Sequence, residues 1–188
     1  MEAFLVSTGI VALAEMGDKT QLLALVLAAR FRKPWSIALG ILVATLVNHA
    51  MAGALGAWVT TFLSPQTLRW ILGVSFIAMA GWMLIPDKLD DDDLDKKPPR
   101  FGVFGTTLLV FFLAEMGDKT QIATVMLAAR FDAYLWVVAG TTLGMMLANA
   151  PVVWLGSRFM HLIPLRAVHI VSALVFAALG GLALLVRP

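Results

Sequence analysis

The stretch Glu15-Met16-Gly17-Asp18-Lys19-Thr20-Gln21 recurs without change one hundred residues later, as Glu115-Met116-Gly117-Asp118-Lys119-Thr120-Gln121. The identity extends beyond these residues, because Leu-Ala precedes both copies. Each copy places two carboxylates and an ammonium in the middle of a long apolar run. The duplication predicts two related halves, each organised around one charged motif in apolar surroundings.

The composition is that of a membrane protein. Of 188 residues, 60% are hydrophobic and 14% are charged, and the mean hydropathy is +0.88. A soluble domain has about 45–50% apolar and about 25% charged residues. The net charge of +2 comes from basic residues in short loops, which argues against a nucleic-acid surface. The chain has no cysteine, which excludes disulfides, thiolate metal ligands and cysteine nucleophiles.

Six apolar runs are long enough to cross a bilayer, whose core of about 30 Å needs about 20 helical residues. The runs cover residues 3–29, 35–62, 68–85, 101–129, 134–159 and 167–186. Pro151 lies inside the fifth run and predicts a kink there. The sequence therefore predicts an all-α polytopic membrane protein with six transmembrane helices. Because each half crosses the bilayer three times, we expect two inverted three-helix repeats, a common plan of secondary transporters.

The hydrophilic residues are concentrated between the two halves. Residues 87–100 include four consecutive aspartates and two prolines, and such a segment buries too little apolar area to fold. We therefore predict repeat one at 1–86, an acidic linker at 87–100 and repeat two at 101–188. Of the 14 lysines and arginines, two lie in the motifs, nine on one predicted side and three on the other. This bias predicts a cytoplasmic linker and extracytoplasmic termini.

Charged residues in the middle of membrane helices require an explanation. Each costs about 2.5–3.5 kcal/mol at the helix centre, so three per motif cost on the order of 8–10 kcal/mol. Glu15 and Asp18 share one face if the segment is helical, and Lys19 can then pair with Glu15. Gly17 lowers helix propensity, and a local break there would expose backbone carbonyls as further ligands.

Pseudo-symmetry is expected to bring the motif acids to one place. Four carboxylates and two ammoniums sum to minus two if all are ionised, which would match one divalent cation. Asn48 and Asn149 lie at mid-depth in the second span of each half and are predicted to line the site. Weaker candidates for the lining are Gln21, Gln121, Thr20 and Thr120. A set of carboxylate and amide oxygens suits hard ions such as Ca²⁺, Mn²⁺ and Mg²⁺.

Several of these residues also have a structural explanation. The acids could join helices through Glu–Lys pairs, and the asparagines could form interhelical hydrogen bonds without touching a ligand. Lys19 and Lys119 could leave when a metal binds or could hold the acids in place. His49 could relay protons, but a packed neutral histidine is favoured, since its expected counterpart is Ala150.

Two Glu-x-Gly-Asp-Lys-Thr motifs, in the first and fourth of six spans, resemble the Ca²⁺/Mn²⁺:cation antiporter family. This family includes Golgi manganese/calcium transporters and bacterial manganese exporters, and the resemblance covers essentially the whole chain. It implies an inverted-repeat fold whose metal site consists of Glu15, Asp18, Glu115 and Asp118. It also implies export of Mn²⁺ or Ca²⁺ from the cytoplasm in exchange for H⁺ or another cation such as Na⁺, by alternating access. No cofactor besides the transported ion is implied.

The expected location is a bacterial plasma membrane, because the short N-terminus lacks the extension of organellar members. The expected partners are a divalent metal ion, a counter-cation and the lipid bilayer, and the oligomeric state is left open. A Ca²⁺/H⁺ exchanger, a passive channel and a metal sensor are alternatives, and no enzymatic activity is expected. An intramembrane aspartyl protease built on Asp18 and Asp118 is disfavoured. Such proteases use Gly-x-Gly-Asp, whereas here Glu replaces the first glycine. A protease dyad must also share a proton, whereas the lysine beside each aspartate would keep the acid ionised.

Overall fold

A computed structural model describes residues 1–85, 101–156 and 164–185 of the chain. These residues form helices and no strand. The helices are α1 (Glu2–Glu15), α2 (Lys19–Phe31), α3 (Pro34–Thr60), α4 (Pro65–Trp82), α5 (Gly102–Glu115), α6 (Lys119–Phe131), α7 (Tyr134–Leu155) and α8 (Leu165–Leu185). The predicted acidic linker at 87–100 lies outside the described residues.

The first and fourth predicted spans are each divided into two helices at the motif. α1 ends at Glu15 and α2 begins at Lys19, and the second copy breaks at the same positions. Gly17 and Gly117 have φ angles of 85° and 77°, which residues with a Cβ rarely adopt. The sequence left open whether the helix continues through each motif or breaks at its glycine, and the structure shows the break. The local break that the motif glycine permits is present in both copies.

The other runs form single helices. Of these helices, α3, α7 and α8 are long and apolar enough to span a bilayer; α5, the first part of the divided fourth run, is apolar but shorter. α4 begins at Pro65, because proline is well suited to the first helical turn and Ser64 Oγ accepts a hydrogen bond from Thr67 N at 3.2 Å. α7 continues through Pro151 to Leu155. These lengths and hydropathies fit an all-helical membrane protein.

The two halves contact each other through helix pairs that contain one helix from each half. α1 packs mainly on α7, and α5 packs mainly on α3. A Cβ added to Gly140 would lie 2.5 Å from Phe4 O, and one added to Gly40 would lie 2.8 Å from Thr107 Cβ and 3.0 Å from Phe104 O. Small residues allow such close backbone approach in lipid. Each motif-bearing helix is therefore held against the long second helix of the other half.

α4 and α8 form a third contact between the halves. The rings of Phe76 and Phe176 are both buried, and their centroids are 6.1 Å apart. Gly73 and Gly180 let the two backbones approach, because a Cβ added to Gly180 would lie 2.9 Å from Gly73 O. The three contacts place the two motif breaks close to one another inside the helix assembly.

Candidate metal site between the two motifs

Three motif carboxylates, drawn from both halves, converge at one buried place. One oxygen from each of Glu15, Glu115 and Asp118 lies within 4.8 Å of the other two. Both glutamates are fully buried, and Asp118 is 4% exposed. Like charges at this separation repel strongly where water is excluded, so the arrangement needs a bound cation or protons to neutralise it. We call these three residues the carboxylate cluster.

Asp18 lies beside the carboxylate cluster but is not one of the three residues. It is buried and immediately precedes α2. It is close enough to Glu115 to interact with it electrostatically. Three of the four predicted metal ligands therefore form the carboxylate cluster, and the fourth, Asp18, lies next to it.

Each member of the cluster has one carboxylate oxygen that accepts no hydrogen bond from the described residues. Within the described part of the chain, Glu15 Oε1, Glu115 Oε1 and Asp118 Oδ2 are buried and accept no hydrogen bond. Leaving a buried acceptor unsatisfied costs about 1–3 kcal/mol, and more for a charged group. Carboxylate oxygens with free lone pairs are the ligands that hard divalent cations prefer. The donor set therefore fits a hard divalent cation.

Each cluster glutamate is oriented by the threonine of its own motif. Thr20 Oγ1 donates to Glu15 Oε2 at 2.7 Å, and Thr120 Oγ1 donates to Glu115 Oε2 at 3.0 Å. Both threonines are fully buried in the first turn after the break. The hydroxyl fixes one carboxylate oxygen and leaves the other available. The threonines, predicted as weaker lining candidates, therefore contact the glutamates of the cluster.

The motif glutamines stabilise the break. Gln21 Oε1 accepts a hydrogen bond from Gly17 N at 2.9 Å, and Gln121 Oε1 accepts one from Gly117 N at 2.7 Å. A break in a helix leaves backbone N–H groups without helical partners, and this bond satisfies one of them. The Gly-x-x-x-Gln spacing, present in both copies, was the sequence signal for this role. The sequence reasoning treated the glutamines only as candidate site-lining residues and missed it.

The two predicted asparagines occupy different environments. Asn149 Nδ2 lies 3.4 Å from Glu15 Oε2, so α7 reaches the carboxylate cluster. Asn48 Nδ2 donates to Phe112 O at 3.1 Å and thus joins α3 to α5. Both side chains are fully buried. The structure therefore brings Asn149 to the cluster, whereas the described contact of Asn48 is with the backbone of α5.

The register of the two halves shows that these asparagines are not counterparts. Gly40 packs on α5 as Gly140 packs on α1, and the motifs are also offset by one hundred residues. At this constant offset the counterpart of Asn149 is His49, and the counterpart of Asn48 is Ala148. The sequence interpretation matched Asn48 with Asn149 by residue type and was wrong by one position.

The motif lysines also contact groups outside their own copy. Lys19 Nζ lies 3.4 Å from Asp118 Oδ1, and the Lys19 side chain is 25% exposed. The expected Glu15–Lys19 pair required a continuous helix, and the break instead directs Lys19 to the other half. Lys119 is buried, donates to Ile85 O at 3.0 Å and lies 5.9 Å from the ring centroid of Trp82.

Buried carboxylates inside a membrane protein mark ion pathways. An all-helical membrane protein whose acids from two halves meet in one buried cluster belongs, by fold and site, to the class of proteins that move cations. The family model described as "Divalent cation/proton antiporter GDT1" matches residues 3–91 and 103–187. The chain belongs to this family, which confirms the resemblance drawn from the twin motifs.

Named relatives agree with this assignment. The chain is 51% identical to "Putative manganese exporter" of Vibrio cholerae serotype O1, over 94% of this chain and 87% of the relative. It is 27% identical to a GDT1-like protein of Synechocystis, over 94% of this chain and 93% of that protein. It is 23% identical to "Divalent cation/proton antiporter GDT1" of Saccharomyces cerevisiae, over 94% of this chain and 81% of that protein. No solved structure gives a significant match.

Proposed function

We propose that this protein exports a divalent cation, Mn²⁺ in preference to Ca²⁺, from the cytoplasm in exchange for protons. The observation that carries the proposal is the carboxylate cluster, whose three oxygens lie within 4.8 Å of one another and come from both halves. The family description supports a divalent cation and a proton as the exchanged ions. The name of the Vibrio cholerae relative supports manganese.

We further propose that the six spans form two inverted repeats, with α1 to α4 as the first and α5 to α8 as the second. The same order of helices and the constant offset between the two sets of contacts support this arrangement. The contact of Phe76 with Phe176 supports it too, because residues beside a pseudo-twofold axis meet their own counterparts. The protein lies in a bacterial inner membrane, with the acidic linker in the cytoplasm and the termini outside.

In this proposal the ion binds between the motif breaks. Glu15, Glu115 and Asp118 provide oxygens, Asp18 completes the set, and Asn149 lies against Glu15. The four ionised carboxylates and the two motif lysines together carry a net charge of minus two, which one divalent cation neutralises. The threonines hold the glutamates in place, so the free oxygens face the ion with little reorganisation.

Exchange follows because protons and metal compete for the same oxygens. A divalent cation needs ionised carboxylates, and protonation of these groups removes its ligands. When the site opens to the outside, protons displace the metal, and when it opens to the cytoplasm, the metal displaces the protons. Each half contributes to one cluster, so movement of the halves relative to each other changes the side to which the cluster opens.

The test measures Mn²⁺ flux and internal pH together in proteoliposomes with an imposed pH gradient. Proton-coupled Mn²⁺ flux is expected for the native protein and is expected to be lost in Glu15→Gln, which removes a cluster charge with little change in shape. Glu2→Gln is the matched control, because Glu2 is an exposed acid on the same helix. Equal flux in Glu15→Gln and Glu2→Gln proteins would overturn the proposal.

A Ca²⁺/H⁺ exchanger is the second candidate. The observation that favours it is that all donors of the carboxylate cluster are oxygens, which Ca²⁺ also prefers. The same liposomes separate the two candidates when Ca²⁺ is added as a competitor of Mn²⁺ flux. Strong inhibition by Ca²⁺ at concentrations similar to that of Mn²⁺ would identify a general divalent exchanger.

A further inference from the structure

His49 occupies in the first half the position that Asn149 occupies in the second. Gly140 packs against Phe4 of α1, and nine residues later Asn149 reaches Glu15 at the end of α1. The helix pair α3 and α5 repeats this register, since Gly40 packs against Phe104 and Asn48 bonds Phe112 O.

Position 49 therefore lies in the same relation to the end of α5 as position 149 does to the end of α1. The end of α5 is Glu115, a member of the carboxylate cluster. By this register, the counterpart of the contact between Asn149 and Glu15 is an approach of His49 to Glu115. In this structure His49 is not itself one of the residues whose ligand atoms lie within 4.8 Å of one another.

The environment of His49 is that of a polar group without a protein partner. The side chain is fully buried, and within the described residues neither Nδ1 nor Nε2 makes a hydrogen bond. Thr45, one turn earlier on α3, is also fully buried with an unpartnered hydroxyl. Buried polar atoms nearly always have partners, so this one requires an explanation. A neutral imidazole offers a lone pair that can bind a metal.

We propose that His49 is a specificity-determining residue that offers an imidazole nitrogen to the transported ion beside Glu115. Ca²⁺ takes oxygen ligands, whereas first-row transition metals also accept imidazole nitrogen. One nitrogen among carboxylate oxygens therefore favours Mn²⁺ over Ca²⁺. The inference rests on the proposed function and deepens it, because it names the residue that chooses between the two ions.

The first experiment compares the ratio of Mn²⁺ to Ca²⁺ transport efficiency in the native protein and in His49→Asn. Asparagine is the residue that the second half carries at this position, so the variant replaces nitrogen by an amide that the fold already accommodates. The ratio is expected to fall about tenfold or more, as for loss of a group that tunes a metal site. An unchanged ratio in a protein that still transports both ions overturns the inference and leaves the proposed function intact.

A reciprocal variant controls for packing effects. The double variant His49→Asn/Asn149→His moves the imidazole from one half to the other and keeps the overall composition. If both positions face one ion, the double variant is expected to recover most of the native preference for Mn²⁺. If the Mn²⁺ to Ca²⁺ ratio of the double variant is as low as that of His49→Asn, and the protein remains monodisperse by size exclusion, positions 49 and 149 do not face the same ion.

A spectroscopic measurement tests ligation without transport. Pulsed electron paramagnetic resonance of bound Mn²⁺ detects a coordinated ¹⁴N, and the signal is expected in the native protein and absent in His49→Asn. His169→Asn is the matched control, because His169 is a second histidine near a motif break. Its Nε2 would lie 3.4 Å from a Cβ added to Gly17. A nitrogen signal that persists in His49→Asn, or that disappears in His169→Asn, overturns the assignment.

Discussion

The two motif copies have the same seven residues but different surroundings. Gly17 is covered by α8, since a Cβ added there would lie 2.6 Å from the Leu165 side chain and 3.4 Å from His169 Nε2. In the described part of the chain, nothing lies within 4 Å of the same point at Gly117, and Met116 is 55% exposed. Identical sequences therefore sit in a covered and an open environment within one molecule.

This difference has a counterpart in the helix packing. α8 packs on α1, whereas the equivalent contact of α4 with α5 is weaker, and α4 packs on α6 instead. If the halves are inverted repeats, the two environments correspond to the two sides of the membrane. We then expect the opposite state of the transporter to cover the second motif and open the first. Under the proposed inverted-repeat arrangement, the comparison between copies is a comparison between the closed and the open side of the site.

The largest effect is expected from removing the charge of Asp118. It belongs to the carboxylate cluster, and its Oδ1 lies 3.4 Å from Lys19 Nζ. Loss of a residue that only supports a metal ligand costs about 10–100-fold in metal affinity, so loss of a ligand itself is expected to cost about 100-fold or more. Asp118→Asn is therefore expected to weaken Mn²⁺ binding by about that factor, measured by titration of the purified protein in detergent.

Asp18→Asn is the matched variant in the other copy. Because Asp18 lies outside the set of three close oxygens, its loss is expected to weaken Mn²⁺ binding less than the loss of Asp118. Coupled transport is expected to be lost in both variants, since each copy must serve in turn. Native Mn²⁺ affinity in the Asp118→Asn protein would contradict the assignment of the cluster.

A smaller effect of opposite sign is expected at Lys19. Its ammonium and the metal compete for Asp118 Oδ1, and the side chain is 25% exposed, so it can move toward water. Lys19→Met keeps the apolar stem and removes the competing charge. Mn²⁺ affinity is expected to rise about tenfold, which is about 1.4 kcal/mol, while turnover falls. Weaker Mn²⁺ binding in this variant would show instead that Lys19 holds Asp118 in place.

The open and covered motif breaks can be compared directly by cysteine labelling. The native chain has no cysteine, so single substitutions give an unambiguous signal. Met116→Cys is expected to react with a water-soluble maleimide several-fold faster than Met16→Cys, which is partly covered. Reversing the pH gradient in oriented liposomes is expected to reduce this difference. Equal rates under all gradients would contradict exchange of the two environments.

Hydropathy was sufficient to place the helices. Each of the six apolar runs begins within three residues of the start of an observed helix. A long apolar segment in a bilayer can satisfy its backbone hydrogen bonds in few ways other than by forming a helix. The motifs predicted that acids of the two halves would meet, and three of the four, Glu15, Glu115 and Asp118, lie together in the structure. Their role as ligands of the ion stays a prediction. The breaks at Gly17 and Gly117 divided the first and fourth predicted spans into two helices each, and the motif glycine was the signal for both.

The contacts between the halves were harder to predict. A continuous helix would have allowed Lys19 to pair with Glu15, whereas the break directs it to Asp118. Asn149 was matched to Asn48 because like residues were compared. α3 begins at Pro34 and α7 at Tyr134, so the constant offset would have matched Asn149 to His49. Local sequence distance decides contacts within a helix, but contacts between repeats depend on register, which residue type alone does not reveal.

A change in Mn²⁺ affinity about as large as that at Lys19, but of opposite sign, is expected at the motif threonines. Thr20 and Thr120 each donate one hydrogen bond to the glutamate of their own copy, at 2.7 Å and 3.0 Å. A hydrogen bond to a charged group is worth about 1.5–3 kcal/mol, but the glutamate stays packed when the hydroxyl is replaced by a methyl group. Thr20→Val and Thr120→Val are each expected to weaken Mn²⁺ binding by about tenfold at the lower end of that range.

Because this contact is the same in both copies, the two threonine variants are expected to agree, in contrast to the aspartate variants. Titration of the purified proteins with Mn²⁺ measures both. A much larger loss in one variant would show that the glutamates are oriented differently in the metal-bound state. The asymmetry between the copies would then extend from the cover over the motif breaks to the ion ligands themselves.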